Sequence, residues 1–155
     1  MNNFYKKGIT AVEMLIVVAI IGIMALIVFP QFAKMRENQV LKSASSDIFS
    51  AIDKARSKTL SSVDSSEYGV YFESGKLVIF KGTVYSGSDL NNEIINIISP
   101  ANISNITLAG ISGTSGELYF KRLSGSPSKA GTITVAVPSI SKIITISATG
   151  SASMN

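Results

Sequence analysis

The sequence contains no cysteine and no histidine among its 155 residues. Without cysteine the chain can form no disulfide bond and no thiolate metal site. Without histidine it lacks the commonest metal ligand and the commonest general base at neutral pH. The many serine hydroxyls therefore have no imidazole to activate them. The composition argues against the alternative of a membrane-tethered enzyme, and we expect no catalytic residue, no cofactor and no metal ion.

Charge is almost absent from residues 9–32, where Glu13 is the only ionisable side chain. An apolar stretch of about 18 residues or more is long enough to cross a bilayer as a helix. A charged residue inside such a segment is rare and is by default a functional residue. The sequence therefore predicts one transmembrane helix and singles out Glu13.

The residues before the apolar stretch predict its orientation. Lys6 and Lys7 lie on its short N-terminal side, so the positive-inside rule places this end in the cytoplasm. No comparable apolar run follows, and residues after about 33 are expected across the membrane. Gly8 precedes the apolar run, whereas a secretory signal has its small-residue cleavage site after that run. A cut after Gly8 would leave the membrane helix on the mature chain.

The helix is expected to continue beyond the membrane, to about Leu60. Residues 33–63 contain neither glycine nor proline, and apolar residues recur at spacings of 3, 4, 4 and 3, which is a helical stripe: Leu41, Ala44, Ile48, Ile52 and Ala55. Gly22 and Pro30 are weak points of the first half, and Pro30 predicts a kink near residues 26–30.

The remainder of the chain predicts β-strands. Short β-branched and aromatic runs alternate with Gly, Ser, Pro and Asn clusters at 68–73, 76–81, 93–98, 105–109, 117–123, 132–137 and 142–147. Residues 110–116 are expected to form a loop. Lys121 and Arg122, as neighbours in a strand, would point to opposite faces. The predicted class is α+β, with a long N-terminal α-helix whose amphipathic half packs on an antiparallel β-sheet domain.

Glu13 lies four residues after Ile9, about 6 Å along the helix axis. In a bilayer it would sit near the headgroups, where a charge is tolerated, but a packed bundle of identical helices would require a partner for it. Cleavage between Gly8 and Ile9 would create an α-amine that is mostly cationic at neutral pH. Pairing of this amine with Glu13 of a neighbouring subunit would also fix the axial stagger between the two helices.

Residues 7–22, KGITAVEMLIVVAIIG, resemble the class III signal of type IV pilins and type II secretion pseudopilins. The resemblance implies that a prepilin peptidase cleaves between Gly8 and Ile9 and methylates the new N-terminus at Ile9. Glu13 is then the fifth mature residue, as in that family, although Ile9 replaces the usual phenylalanine. Gly22 and Pro30 fall where the family has a helix-weakening glycine and a helix-kinking proline.

The family's architecture implies a leader peptide (1–8), a transmembrane and filament-core helix (9–32), its amphipathic continuation (33–63) and a globular β-sheet domain (64–155). The expected function is that of a structural subunit of a type IV pilus-like or type II secretion filament. Its partners would be membrane lipid before assembly, prepilin peptidase, the inner-membrane assembly machinery and homologous pilin or pseudopilin subunits. The location would be a single pass of the inner membrane, followed by a periplasmic or extracellular filament.

A second similarity is to the GspH/FimT group of minor pilins, carried by residues 53–58, 68–72, 120–125, 131–135 and 144–150. Some members of that group bind DNA through basic residues near the C-terminus, so a DNA-binding minor pilin for natural DNA uptake is the alternative function. Residues 150–155 of this chain carry no charge. This departure from the group disfavours nucleic acid as a partner.

Overall fold

A computed structural model of the chain describes residues 8–154. It contains one long helix, α1 (Ala11–Leu60), a short 3-10 turn (Val63–Ser65) and nine strands. The chain divides into two compact units, with the boundary between Arg36 and Glu37. The predicted α+β class is confirmed, since a long N-terminal helix is followed by antiparallel sheets on which its second half packs.

The first unit contains the apolar part of α1, and the second unit contains the rest of the helix with all of the strands. The strands are β1 (Tyr68–Glu73), β2 (Lys76–Lys81), β3 (Glu93–Asn96), β4 (Asn102–Leu108), β5 (Ile111–Gly113), β6 (Ser115–Tyr119), β7 (Gly131–Ala136), β8 (Ser141–Ile146) and β9 (Ala152–Met154). They form a four-stranded sheet in the order β3-β2-β1-β6 and a five-stranded sheet in the order β5-β4-β7-β8-β9.

One hydrophobic core joins the two sheets to the second half of α1. The predicted helical stripe is buried throughout, and the same helix face also buries Ser45, Ala51 and Thr59. From the sheets the core receives alternate residues of most strands, including Phe72, Leu118, Ile133 and Ile144, whereas β5 is exposed throughout. The apolar residues that recur every 3.6 positions on the helix and every 2 positions on the strands therefore face the same interior.

The four-stranded sheet has a second, smaller apolar layer on the face turned away from that core. Val78 and Phe80 are buried there, although they do not belong to the main core. The loop between β2 and β3 covers them: the ring of Tyr85 lies 5.8 Å from that of Phe80 and stacks on Tyr71 with 4.1 Å between ring centroids. The backbone N–H of Tyr85 donates to the Glu117 carboxylate at 2.8 Å, which fixes this loop on the sheet.

Most strand predictions are confirmed in position, although β4 begins at Asn102 rather than 105 and β3 ends at Asn96 rather than 98. β1 and β2 have the predicted bounds, whereas the strand predicted at 117–123 is β6, Ser115–Tyr119. Lys121 and Arg122 therefore lie in a turn, and the prediction that they occupy opposite faces of a strand was wrong. Residues 110–116 were expected to be a loop but contain β5, and β9 was not predicted.

Candidate functional site

The N-terminal segment singled out by the sequence begins outside the helix. Gly8, Ile9 and Thr10 are exposed and non-helical, and α1 starts at Ala11. The Thr10 hydroxyl accepts a hydrogen bond from the Glu13 backbone N–H at 3.2 Å, and the Thr10 carbonyl accepts one from the Met14 N–H at 3.1 Å. This is the geometry of a helix N-cap, where a Thr oxygen satisfies an otherwise unpaired backbone donor. The Gly8–Ile9 bond consequently lies just before the helix, in accessible backbone.

Glu13 lies in the first turn of α1 and is exposed to solvent. Thr10 and Glu13 have the spacing of a capping box, in which a Glu follows the cap residue by three positions. A carboxylate at this end also interacts favourably with the helix dipole, typically by about 0.3–1 kcal/mol. Within residues 8–154 the Glu13 carboxylate forms no ion pair.

The apolar part of α1 is exposed along its length. Its large side chains include Leu15, Ile21, Leu26 and Phe29, which are exposed by 72%, 61%, 77% and 71%. Among the residues that the structure describes, α1 is the one helix long and apolar enough to cross a membrane. Such a large exposed apolar surface marks a membrane or protein contact.

Gly22 and Pro30 both lie inside this exposed part of α1. A Cβ atom built on Gly22 would meet no other atom within 4 Å, so packing within the chain does not require glycine there. Pro30 is accommodated within the helix but has no N–H to donate to the preceding turn. Both residues weaken the helix where the chain itself gains nothing from them, and any gain must come from what surrounds the helix.

In the β-domain, a pair of ion-pair clusters connects α1 with the four-stranded sheet. Glu93 of β3 pairs with Lys54 and, at 3.6 Å, with Lys58, which lie one helical turn apart. The hydrogen bond from Lys54, with the charges of both lysines, holds the pKa of Glu93 below its ordinary value. Glu93 thus offsets the repulsion between these two like charges. Sequence spacing could not reveal this partner, because Glu93 is 39 positions away from Lys54.

The second cluster surrounds Asp64. Its carboxylate accepts hydrogen bonds from Lys81 and from the Tyr68 hydroxyl, each at 3.1 Å. These two bonds, that of Lys81 first, lower the pKa of Asp64, while desolvation and the Asp64 carboxylate raise the pKa of Tyr68. Lys58 lies 5.3 Å from the centre of the Tyr68 ring. The cluster joins the end of α1 to β1 and β2, and its groups are occupied with one another.

Two arginines fix the turns that follow. Arg56 of α1 donates to the carbonyls of Gly125 and Thr149, at 3.1 and 3.4 Å, and Arg122 donates to the carbonyl of Ser65 at 2.9 Å. A Cβ atom on Gly150 would lie 2.1 Å from the Gly125 oxygen and 2.9 Å from Arg56 Nε, so this junction requires glycine. The residues from 120 to 125 that resemble the minor-pilin group thus form a tightly anchored turn at the end of α1.

Residues 8–154 contain no group of three or more Asp and Glu side chains that could hold a metal ion. Three crevices among these residues have volumes of about 240, 150 and 160 Å³. Ligand sites for drug-sized molecules usually occupy about 300–1,000 Å³. Among the described residues, the exposed part of α1 and its N-terminus are therefore the stronger candidate for a functional site. No protein-family model matches the chain, and neither a curated protein nor a solved structure matches it.

Proposed function

We propose that this protein is a non-enzymatic structural subunit of a type IV pilin-like or type II secretion pseudopilin-like filament. In this proposal a prepilin peptidase removes residues 1–8 and methylates Ile9. The chain first spans the inner membrane once, with its N-terminus in the cytoplasm, and the assembly machinery then moves it into a periplasmic or extracellular filament. Lipid covers the apolar part of α1 before assembly, and the helices of other subunits cover it afterwards.

The observation that carries the proposal is the contrast between the two parts of α1. The second part buries a stripe in the core of the β-domain, whereas the first exposes its large apolar side chains. A plain membrane anchor would explain apolar side chains. It would not explain the motif of residues 7–22, with a small residue before the helix and one acidic residue in its first turn.

The proposed assembly contact joins Glu13 to the Ile9 amine of a neighbouring subunit. Thr10, the residue after Ile9, caps the N-terminus of α1. The new amine would therefore lie at this N-terminus, where the helix dipole disfavours a positive charge. A carboxylate from a neighbour would offset this effect. An unpaired carboxylate buried among apolar helices would be strongly destabilising, and this penalty would exclude subunits out of register.

The cleavage site is tested by replacing Gly8 with a bulky residue. We expect the Gly8→Leu variant to remain in the membrane as the full-length precursor, with the mass of residues 1–8 still present and no N-terminal methyl group. Intact-mass spectrometry of the membrane fraction distinguishes the two forms. Normal processing of Gly8→Leu would show that the cleavage assignment is wrong.

The pairing is tested by two substitutions at Glu13. Glu13→Val removes both charge and hydrogen bonding, whereas Glu13→Gln keeps a residue that the capping box accepts and removes only the charge. We expect both variants to insert in the membrane and to be strongly depleted from sheared filaments, as judged by immunoblotting. Incorporation of Glu13→Gln at the wild-type level would refute the role of the charge and leave Glu13 as a capping residue.

DNA binding receives little support from the charges of the domain. Lys54, Lys58 and Lys81 are paired with carboxylates, and Arg56 and Arg122 donate to backbone carbonyls. A gel shift of the purified protein at low salt tests this alternative. Binding to DNA that weakens steeply as salt is raised would favour it, because phosphate contacts release counterions.

A further inference from the structure

One turn of the β-domain contains a leucine, Leu123, whose solvent exposure and backbone conformation are both unfavourable. Leu123 follows β6, is 89% exposed and has a left-handed backbone with φ of 67°. A bulky residue with positive φ is an outlier, and such backbone conformations persist where the surrounding structure fixes them. Neither the exposure nor the backbone conformation of Leu123 brings a visible gain within the folded chain.

The turn that carries Leu123 is held from both sides. Within the turn, the N–H of Gly125 donates to the carbonyl of Lys121 at 2.9 Å, and that of Lys121 donates to the carbonyl of Ser126 at 2.9 Å. Arg56 and Arg122 connect the turn to α1 and to the 3-10 turn, as described above. Leu123 is therefore displayed on a hydrogen-bonded turn, directly after the cationic Lys121 and Arg122 in the sequence.

The same domain has an apolar crevice about 25 Å away along the helix, since Ser43 precedes Leu60 by 17 residues at about 1.5 Å each. The crevice has a volume of about 240 Å³ and lies between α1 and the segment after β3; its lining residues are Gln39, Val40, Ser43, Ala44, Asp47 and Ile98. Ile98 is 69% exposed. The size fits a side chain better than a small-molecule ligand.

We propose that Leu123 of one subunit inserts into this crevice on a second copy of the chain. The charges are complementary, because Lys121 and Arg122 flank the leucine whereas Asp47 lies at the crevice. Insertion would bury two exposed apolar side chains, Leu123 and Ile98. This inference rests on the proposed filament function and adds a contact between β-domains to the one between helices.

The two surfaces lie at different places on the same chain, so the contact can join one copy to the next in the head-to-tail manner that the proposed filament requires. Such heterologous contacts repeat without closing when the rotation between copies does not complete a ring, and they then generate helical filaments. In such a filament, Leu123 of each copy would occupy the crevice of the next copy along the axis of α1. A two-fold dimer could also place each leucine in the other copy's crevice, but it would give a cross-linked dimer and no higher multimers.

Cross-linking of the full-length protein in its filaments tests the contact directly, because the natural chain has no cysteine. We expect the double variant Leu123→Cys/Ser43→Cys to give a ladder of disulfide-linked multimers in sheared filaments after mild oxidation. Leu90, also in the β-domain, is 100% exposed and provides the matched control. The variant Leu90→Cys/Ser43→Cys should give no ladder.

Two further variants separate assembly from folding. Leu123→Gly removes the side chain and relieves the left-handed backbone, so it should leave thermal unfolding unchanged or raise its midpoint, yet lower the filament yield at least fivefold. Lys121→Glu and Asp47→Lys should each lower the yield several-fold, and the double variant should recover it to within twofold. Recovery would identify the two residues as partners across the contact.

The contact is wrong if Leu123→Cys/Ser43→Cys gives no ladder in filaments of normal yield, or no more than the Leu90 control. A cross-link from Leu123 to a different protein would also overturn it, since the occupied crevice would then not be on a second copy. Failure of the proposed function is a different result. In that case the unmodified protein would be neither processed after Gly8 nor recovered in any filament.

Discussion

Replacing Gly69 by alanine should destabilise the β-domain more than any other single methyl group added to its four-stranded sheet. Gly69 of β1 pairs with Phe80 of β2. A Cβ atom at position 69 would lie 2.4 Å from Cζ of Phe80 and 2.5 Å from the backbone oxygen of Leu118. Carbon atoms in contact are ordinarily about 3.5–4.0 Å apart, so the ring would have to move by about 1 Å or more.

Neither neighbour can move freely. Phe80 is 1% exposed and lies under Tyr85, while the Leu118 oxygen belongs to the backbone of a paired strand. Overpacking of a well-packed interior costs about 1–3 kcal/mol, and two immobile neighbours place Gly69→Ala near about 3 kcal/mol. For a domain of this size that corresponds to a fall in Tm of roughly 10 °C.

Thermal unfolding of the detergent-solubilised protein measures the effect. The chain has no tryptophan, so its near-ultraviolet circular dichroism comes from tyrosine and phenylalanine, and displacement of Phe80 should also weaken the signal of the stacked Tyr71 and Tyr85. Gly75→Ala is the control, because a Cβ atom there would meet nothing within 4 Å. Equal Tm values for Gly69→Ala and Gly75→Ala would refute the packing explanation.

Two other predictions concern the contacts between α1 and the sheets. Thr59→Val should lower the free energy of unfolding by about 1–3 kcal/mol, because the buried Tyr68 N–H loses its acceptor at 2.9 Å; Thr59→Ser keeps the hydroxyl and should show less loss in a denaturant titration. Glu93 has a lowered pKa in the folded state, caused first by its hydrogen bond from Lys54 and also by the charge of Lys58, so its stabilising effect is present above its ordinary value of 4.5 and disappears as pH falls through the folded-state pKa. The difference in the free energy of unfolding between wild type and Glu93→Gln should therefore be largest near neutral pH and absent in acid. For this partly exposed pair it should stay below about 1 kcal/mol. A difference that grows as pH falls would contradict this sign.

The long helix and most strands could be predicted because their determinants are local. The stripe from Leu41 to Ala55 recurs at helical spacing, and β1 and β2 flank a Ser-Gly turn with β-branched and aromatic arms. The N-terminus of α1 differs from the prediction by two residues. The hydroxyl of Thr10 caps the helix, which leaves Ile9 outside it.

The strands that sequence reasoning missed have weak local signals. β5 is three residues long, exposed at every position and lies in a Gly/Ser-rich stretch. It pairs with β4 through a two-residue turn at Ala109 and Gly110, both with left-handed φ. An Asn-Gly or Asp-Gly pair usually indicates such a turn, and alanine does not. β9 consists of small residues and one methionine, and its pairing with β8 depends on tertiary context.

For the candidate site, the sequence was informative about position but not about contacts. The pattern from Gly8 to Glu13 identified a cleavage site and an acidic residue, which remain predictions. It did not indicate that Thr10 would separate the two by capping the helix. The anchored turn around Leu123 was also missed, because Arg56 and Arg122 reach it from positions far apart in sequence. Such junctions are formed by contacts between residues far apart in the sequence, which the spacing of apolar residues cannot predict.

The short edges of the five-stranded sheet have a consequence for the proposed filament, in which many copies of the domain would lie side by side. Its edge strands, β5 and β9, contain three residues each. A short edge offers few backbone groups to a strand of another molecule, and long exposed edges are the usual route to amyloid-like aggregation. Crowded subunits would therefore be guarded against uncontrolled strand exchange. In the proposed filament, subunits would associate through side-chain contacts, which can form and break without unfolding either domain.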